Sequence, residues 1–489
     1  MMERCELCKS WQIVYTRYEG AEKQAVAFLG GELCKYLARI PDVYTLFVVP
    51  CVKTGEEAPD KNSIVVSTYG ESPFVREHVT EEEIPACGWL IKTFKLPLST
   101  GEGTKQQILI TAKKRENLFF AAASFIDDFM VTYAPLSGWL KMPSKFFESE
   151  IADNTAVFEP KVETRSIFTW GHPINDYREY IRNAARLKIN RIILWNDFVP
   201  VNAREIVDYA HEFGMRILWG FEWGWGVHSS AHIRSIDDEF LNTLKGQILD
   251  RFYKEYQAVA EDGIYFQSFT ETAADNIGGR RISEAVVKLV NDVSAELLEK
   301  NPELKIVFGL HASSVLSHLS DIEKTDPRVE ILWEDFGAFP SYYLPGENAA
   351  ETEKLKETTK RILALRGGKN LGFLFKGFLV LDWERFENQQ GPYLLGENAR
   401  EVTRSDHALR KGAWRVFQAG WITYGENALK IARQIYEATD GKVEIGMAGC
   451  FDGGMWAAEA LCAEIIADPS REYRDLLSHT LAKSGITFA

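Results

Sequence analysis

From about residue 165 onward, short apolar runs alternate with longer stretches whose apolar positions recur at helical spacing. The runs predict strands ending at 168–171, 192–197, 217–223, 264–271, 306–311, 331–335, 371–376 and 445–452. Helices are expected between them over 176–187, 203–213, 238–260, 283–300, 349–365 and 405–436, the last broken near Gly425. A short helix is expected over 315–324. Eight strand–helix alternations over about 300 residues match a (β/α)₈ TIM barrel, which typically takes about 250. A doubly wound open sheet would call for a glycine-rich phosphate loop after an early strand, and no such motif occurs.

The first part of the chain has a different rhythm. Trp11–Tyr18 reads as a strand and 21–38 as a helix. Apolar runs at 43–49, 63–67, 89–96 and 107–112 read as further strands, and 117–129 (NLFFAAASFIDDF) as a closing helix. Two helices on one face of a mostly antiparallel sheet make an α+β domain. The expected division is an α+β domain over 1–135, a linker over 136–163 carrying Pro143 and Pro160, and the barrel over 164–489.

Composition narrows the function. The 489 residues are 46% hydrophobic and 26% charged, ordinary values for a globular protein with a normal core. A net charge of −14 argues against nucleic acid as the partner. No apolar run reaches the ~18 residues that a membrane span needs. The polar start, Met1-Met2-Glu3-Arg4-Cys5, does not read as a signal peptide, and seven scattered cysteines do not read as a disulfide framework. Both lead to an expected cytoplasmic location, although a trimmed leader would leave the same sequence. Cys5 and Cys8 form one isolated C-x-x-C with no second pair at zinc spacing. No cofactor is expected, and the sequence leaves the oligomeric state open.

Sites on such barrels lie at the C-terminal ends of the strands. Here those ends carry Trp170 and His172; Trp195, Asn196 and Asp197; Glu222, Trp223 and Trp225; Glu271; His311; Trp333, Glu334 and Asp335; and Lys376, with Trp383 on an extension. Carboxyl groups, indole faces and hydrogen-bonding side chains on one rim suit carbohydrate. Glycoside hydrolysis needs two carboxyl groups: one protonates the leaving oxygen, and the other serves as base or nucleophile. Glu271 is the expected general acid, because the apolar start of its strand would raise its pKa. Its alternative is a capping carboxylate. Glu334 and Asp335 are adjacent, so only one faces the mouth as the second carboxylate. Salt-bridged loop residues are the alternative for both.

Glu222 would bond substrate hydroxyls or serve as a structural carboxylate. The tryptophans would stack on sugar rings or fill the core. His172, His311, Asn196, Asp197 and Lys376 complete the expected substrate-binding set. The paired histidine motif that metal-dependent barrel hydrolases carry on their first strand is absent; only Gly171-His172-Pro173 stands there.

A family resemblance is carried by three stretches. Residues 106–129 (QQILITAKKRENLFFAAASFIDDF) resemble the end of the small α/β domain that precedes the barrel in bacterial α-glucuronidases and β-N-acetylhexosaminidases. Residues 262–271 (DGIYFQSFTE) and 301–309 (NPELKIVFG) resemble the region around the fourth barrel strand of these glycoside hydrolases. The resemblance implies a glycosidase with an acid on that strand, which carries over to Glu271. The hexosaminidases place an Asp before that Glu to steer an acetamido group. Here Thr270 stands there, so the substrate-assisted mechanism does not carry over. The expected activity is an exo-acting hydrolase on a small oligosaccharide or glycan. A non-catalytic glycan-binding barrel and a metal-dependent barrel hydrolase or lyase are the alternatives.

Overall fold

A computed structural model describes residues 11–37, 49–129, 153–169, 174–195, 198–224, 233–270, 274–310, 315–334, 349–376, 392–397, 412, 415–448 and 456–482. The chain forms two compact units. The first comprises Met1–Pro160 with Ala185–Lys188 and Tyr209–Met215, and the second is the remainder.

The first unit is built on a six-stranded sheet of order β2-β1-β3-β5-β4-β6. Its strands are β1 (Trp11–Tyr15), β2 (Cys51–Lys53), β3 (Asn62–Thr68), β4 (Trp89–Pro97), β5 (Thr104–Ala112) and β6 (Asn154–Phe158). The expected mostly antiparallel sheet is corrected. β1 pairs in parallel with β2 and β3, and β3 with β5; only β4 is antiparallel to its neighbours β5 and β6. The helix Gly20–Leu37 follows β1 and returns the chain so that the next strands run in the same direction. Among the described residues of the first unit, β4 and β5 form a hairpin, where Gly101 and Gly103 take positive φ values of 80° and 94° in the turn. β6 lies inside the stretch read as linker. It closes the sheet against β4 with its Val157 side exposed. The expected strand over 43–49 falls mainly outside the described residues.

The second unit is a closed barrel of eight parallel strands in chain order. These are β7 (Thr164–Phe168), β8 (Arg191–Trp195), β9 (Arg216–Gly220), β10 (Ile264–Phe266), β11 (Ile306–Leu310), β12 (Glu330–Trp333), β13 (Leu371–Phe375) and β14 (Glu444–Ala448). All eight overlap the predicted apolar runs, most ending short of the expected ends: the first closes at Phe168 and the fourth at Phe266. Both faces of such strands are covered, one by the lumen core and one by helices, so runs such as IVFGL and LGFLF are buried throughout.

The intervening helices follow the expected order. The helix Asp238–Arg251 passes into a π-turn over Phe252–Tyr256, and Gly425 caps the helix Glu426–Thr439 at the predicted break. No helix among the described residues is long and apolar enough to cross a membrane.

Strand alternation sorts the side chains. Phe168, Ile193, Trp195, Leu218, Tyr265, Val307, Leu332, Leu374 and Ala448 form one buried cluster in the lumen. Residues two positions away from these share their face. That rule brings Arg191, Glu330 and Glu444 to the N-terminal end of the lumen, and Gln267, Gly309, Glu334 and Lys376 to the C-terminal end.

Candidate active site

The C-terminal layer of the lumen is organised around Glu334. This residue directly follows β12 and is fully buried. Its backbone N–H donates to Leu310 O at 3.0 Å, extending the ladder with β11 by one step. Its parity with Leu332 turns the carboxylate inward. There the Tyr265 hydroxyl donates to Oε1, and Gln267 Nε2 donates to Oε2 at 2.5 Å. Gln267 Nε2 also lies 3.2 Å from the Tyr265 oxygen. Hydrogen bonds to both oxygens favour the ionised form of a carboxyl group.

The space for this contact comes from two glycines. A methyl group at position 309 would overlap Tyr265 Oη and Glu334 Oε1. One at position 220 would sit 2.7 Å from Trp195 Cε3 and 3.2 Å from Tyr265 Cδ1. Neither glycine has a positive φ, so each is needed for its missing volume rather than for its backbone freedom. A strand-interior glycine costs roughly 0.5–1 kcal/mol relative to alanine. The ring of Tyr265 is in turn held by Phe168, at a centroid distance of 4.8 Å, and by Trp195, edge-on at 5.7 Å and 83°.

The other expected site residues divide. Trp195 lies in the lumen next to Tyr265, with its backbone N–H donating to Thr169 Oγ1 at 3.2 Å. Lys376 follows β13 with the inward parity of Leu374 and is 1% exposed. Glu222 accepts from Gly224 N at 2.9 Å and pairs with Arg251 at 3.2 Å. Arg251 belongs to the helix after β9 and also lies over the rings of Phe221 and Tyr256. These partners fit the structural alternative for Glu222.

Trp223 and Trp333 are fully buried. Trp333 sits one residue from Glu334 and two from Ile331, on the outer parity of β12. Trp223 stacks on Phe266 at 3.5 Å and 6°, and Phe266 on Phe308 at 5.0 Å, a column on the outer parity of β10 and β11. The core alternative therefore describes both rings. A period of two carries them to the face opposite Tyr265 and Glu334. Trp170, His172, Asn196, Asp197, Trp225, Glu271, His311, Asp335 and Trp383 lie outside the described residues, as do Cys5 and Cys8.

Tyr265, Gln267 and the two glycines were not among the expected functional residues. Tyr265 is hidden in the apolar run Ile264-Tyr265-Phe266. The available signal was parity: 265 and 267 share a face, and that face carries a hydroxyl and an amide.

The opposite end of the lumen holds four charges. Arg191 pairs with Glu444 and lies 3.6 Å from Glu330, while Lys305 reaches Glu330 at 2.5 Å. Burial pushes Glu444 up to about 7 against the pull of Arg191. Glu330 is also desolvated by burial, but the two cations Arg191 and Lys305 outweigh this and hold it below the usual carboxylate range. These charges lie at the end of the barrel away from the strand ends that carry active sites on this fold.

No family model matches the chain, and no curated protein matches it in sequence. Solved structures do. One is a GH138 enzyme targeting pectin rhamnogalacturonan II, with a TM-score of 0.51 and 10% identity over 96% of this chain and 52% of that one. Another is a family GH115 4-O-methyl-α-glucuronidase with specificity for decorated arabinogalactans, with a TM-score of 0.51 and 12% identity over 96% of this chain and 59% of that one. The chain thus spans a little over half the length of each. With these glycoside hydrolases it shares its fold, a (β/α)₈ barrel preceded by a smaller α/β domain.

Proposed function

We propose that the chain hydrolyses a glycosidic bond at the C-terminal end of its barrel. Glu271 is the general acid, and Glu334 is the carboxylate that stays ionised as base or nucleophile. The observation that carries this reading is the Glu334 carboxylate, held on both oxygens by donors inside a barrel of glycoside-hydrolase fold. Two carboxyl groups serve opposite roles when one sits in an apolar setting and the other accepts hydrogen bonds. Glu271 follows the apolar run Ile264-Tyr265-Phe266 in the sequence, and Glu334 is the carboxylate that accepts the hydrogen bonds.

In the reaction, Glu271 gives its proton to the leaving oxygen. Glu334 either activates water or attacks the anomeric carbon, depending on the distance between the two groups. Trp170, His172, Asn196, Asp197, Trp225, His311 and Trp383 are the substrate-binding set, with Lys376 as the cation for a uronic carboxylate. The two similar enzymes act on pectin and on decorated arabinogalactans. Uronic-acid-bearing glycans, attacked from an end, are accordingly the first substrates to offer.

The test is a panel of chromogenic α- and β-glycosides that includes uronides and N-acetylhexosaminides. Turnover of at least one is expected. Glu271→Gln should lower kcat by about 10²- to 10⁴-fold, the scale of a lost acid catalyst, while the folded state persists. Full activity in that variant, or none in the wild type on any member, would sink the assignment.

A further inference from the structure

We propose that Tyr265 is a positioning residue that acts through Glu334: it fixes the carboxylate in place and keeps it ionised for the reaction. This inference rests on the glycosidase reading of the mouth.

Three observations carry it. First, the hydroxyl of Tyr265 has a single hydrogen, and it is directed to Glu334 Oε1. The amide of Gln267 takes Oε2 at 2.5 Å and lies 3.2 Å from the Tyr265 oxygen. The two donors therefore support one another and meet both oxygens of one carboxylate. Second, the ring bearing that hydroxyl has little freedom. Phe168 and Trp195 hold it from two other strands. Third, the neighbouring strands are cut back for it. Glycine at 220 and 309 leaves room for the Tyr265 ring and for the contact between its oxygen and Glu334. A tyrosine serving only as filler would not require a notch at its hydroxyl.

The chemistry follows from the hydrogen bonds. A hydroxyl and an amide given to a buried carboxylate favour its charged form and oppose its protonation. They also hold the oxygens at a fixed place, which a charge-stabilising or attacking carboxylate needs. Phenylalanine at 265 keeps the ring and its packing but removes the donor.

The experiment combines kinetics with a spectroscopic reading of Glu334. On a substrate found in the panel, Tyr265→Phe should lower kcat by about 10- to 100-fold, the scale of a lost charge-assisted hydrogen bond. KM should stay within about twofold, because the lost interaction does not touch the ground-state substrate. The acidic limb of kcat/KM should move up by about one pH unit. Infrared difference spectra of each protein against its Glu334→Gln counterpart isolate the protonated-carboxyl band of Glu334. In the wild type that band should be absent at neutral pH. In Tyr265→Phe/Gln267→Leu it should appear at a higher pH than in the wild type. Thermal unfolding of Tyr265→Phe confirms that the variant is folded.

An unmoved acidic limb with unchanged kcat would overturn the proposal, and so would a protonated Glu334 in the wild type at neutral pH. A wild type that turns over no glycoside defeats the glycosidase reading instead. The infrared comparison then still decides whether Tyr265 and Gln267 keep Glu334 ionised.

Discussion

The two ends of the barrel lumen are both polar, and they manage their charge in opposite ways. At the N-terminal end, Arg191 and Lys305 face Glu330 and Glu444, so cations and anions neutralise one another. At the C-terminal end, Glu334 accepts hydrogen bonds from Tyr265 and Gln267 across strands relieved by glycine, and the buried Lys376 lies at the same end. A carboxylate spent in an ion pair is tied to stability. On the proposed reading, the carboxylate held by Tyr265 and Gln267 keeps its charge for the reaction.

The strongest way to break this comparison is at Arg191. Arg191→Met keeps the volume of the stem and strips the cation from two buried glutamates. Removing one partner of a buried pair costs about 3–5 kcal/mol, because the remaining charge is stranded. Urea unfolding followed by tryptophan fluorescence should show a loss of that size, with catalytic constants of the remaining folded protein close to wild type. A loss below about 1 kcal/mol would mean that the floor charges do not act as a unit.

A smaller effect is expected at the other end. Gly309→Ala adds one methyl group where Tyr265 Oη and Glu334 Oε1 meet. Overpacking of this kind costs about 1–3 kcal/mol. Unlike the floor variant, it should also lower kcat, since it separates a donor from the carboxylate. Comparison of urea midpoints with kcat distinguishes the two ends: stability alone falls at the floor, and both fall at the mouth. An alanine at 309 that leaves kcat unchanged would place the notch outside the chemistry.

The barrel was legible because parallel strands buried on both faces read as near-continuous apolar runs, as in RIILW and LGFLF. Pattern alone was silent on pairing. The first unit's sheet is largely parallel because a helix intervenes after β1, and no periodicity within the strands records that. β6 escaped notice because an edge strand with exposed Thr155 and Val157 resembles a loop.

At the site, alternation separated Glu334 from its neighbours only after the strand's phase was known. Trp333 lies next to Glu334 in sequence and on the opposite face of β12, so proximity to a strand end does not by itself tell which of two neighbours faces the lumen. Tyr265 was hidden by its apolar neighbours, and Gly220 and Gly309 by the lack of any side chain. Their meaning arises only where three strands converge.

The finest test of the contrast is pH. Burial raises Glu444 from 4.5, its value in an unfolded chain, to about 7. Between those values the unfolded state ionises while the folded state holds its proton. Stability therefore falls as pH rises through this window and levels off above about 7. The slope contributed by one such group is at most about 1.4 kcal/mol per pH unit. Glu330 has the opposite sign: its pKa is lowered, so its contribution is present above the unfolded value and is lost as pH falls through the folded one.

Glu22 of the first unit is also pushed up to about 7 by burial, and it adds a fall of the same sign as Glu444. The measurement is therefore a difference: urea unfolding of Glu444→Gln against wild type from pH 5 to 8. The variant should lose part of the fall between pH 5 and 7 and run parallel to the wild type above it. Glu334→Gln should keep the fall that Glu444 contributes, because it leaves Glu444 and its partner Arg191 at the other end of the lumen untouched. If Glu334→Gln flattened the curve as much as Glu444→Gln does, the two ends of the lumen would share one kind of buried carboxyl group, and the distinction between a charge spent on stability and a charge kept for chemistry would fail.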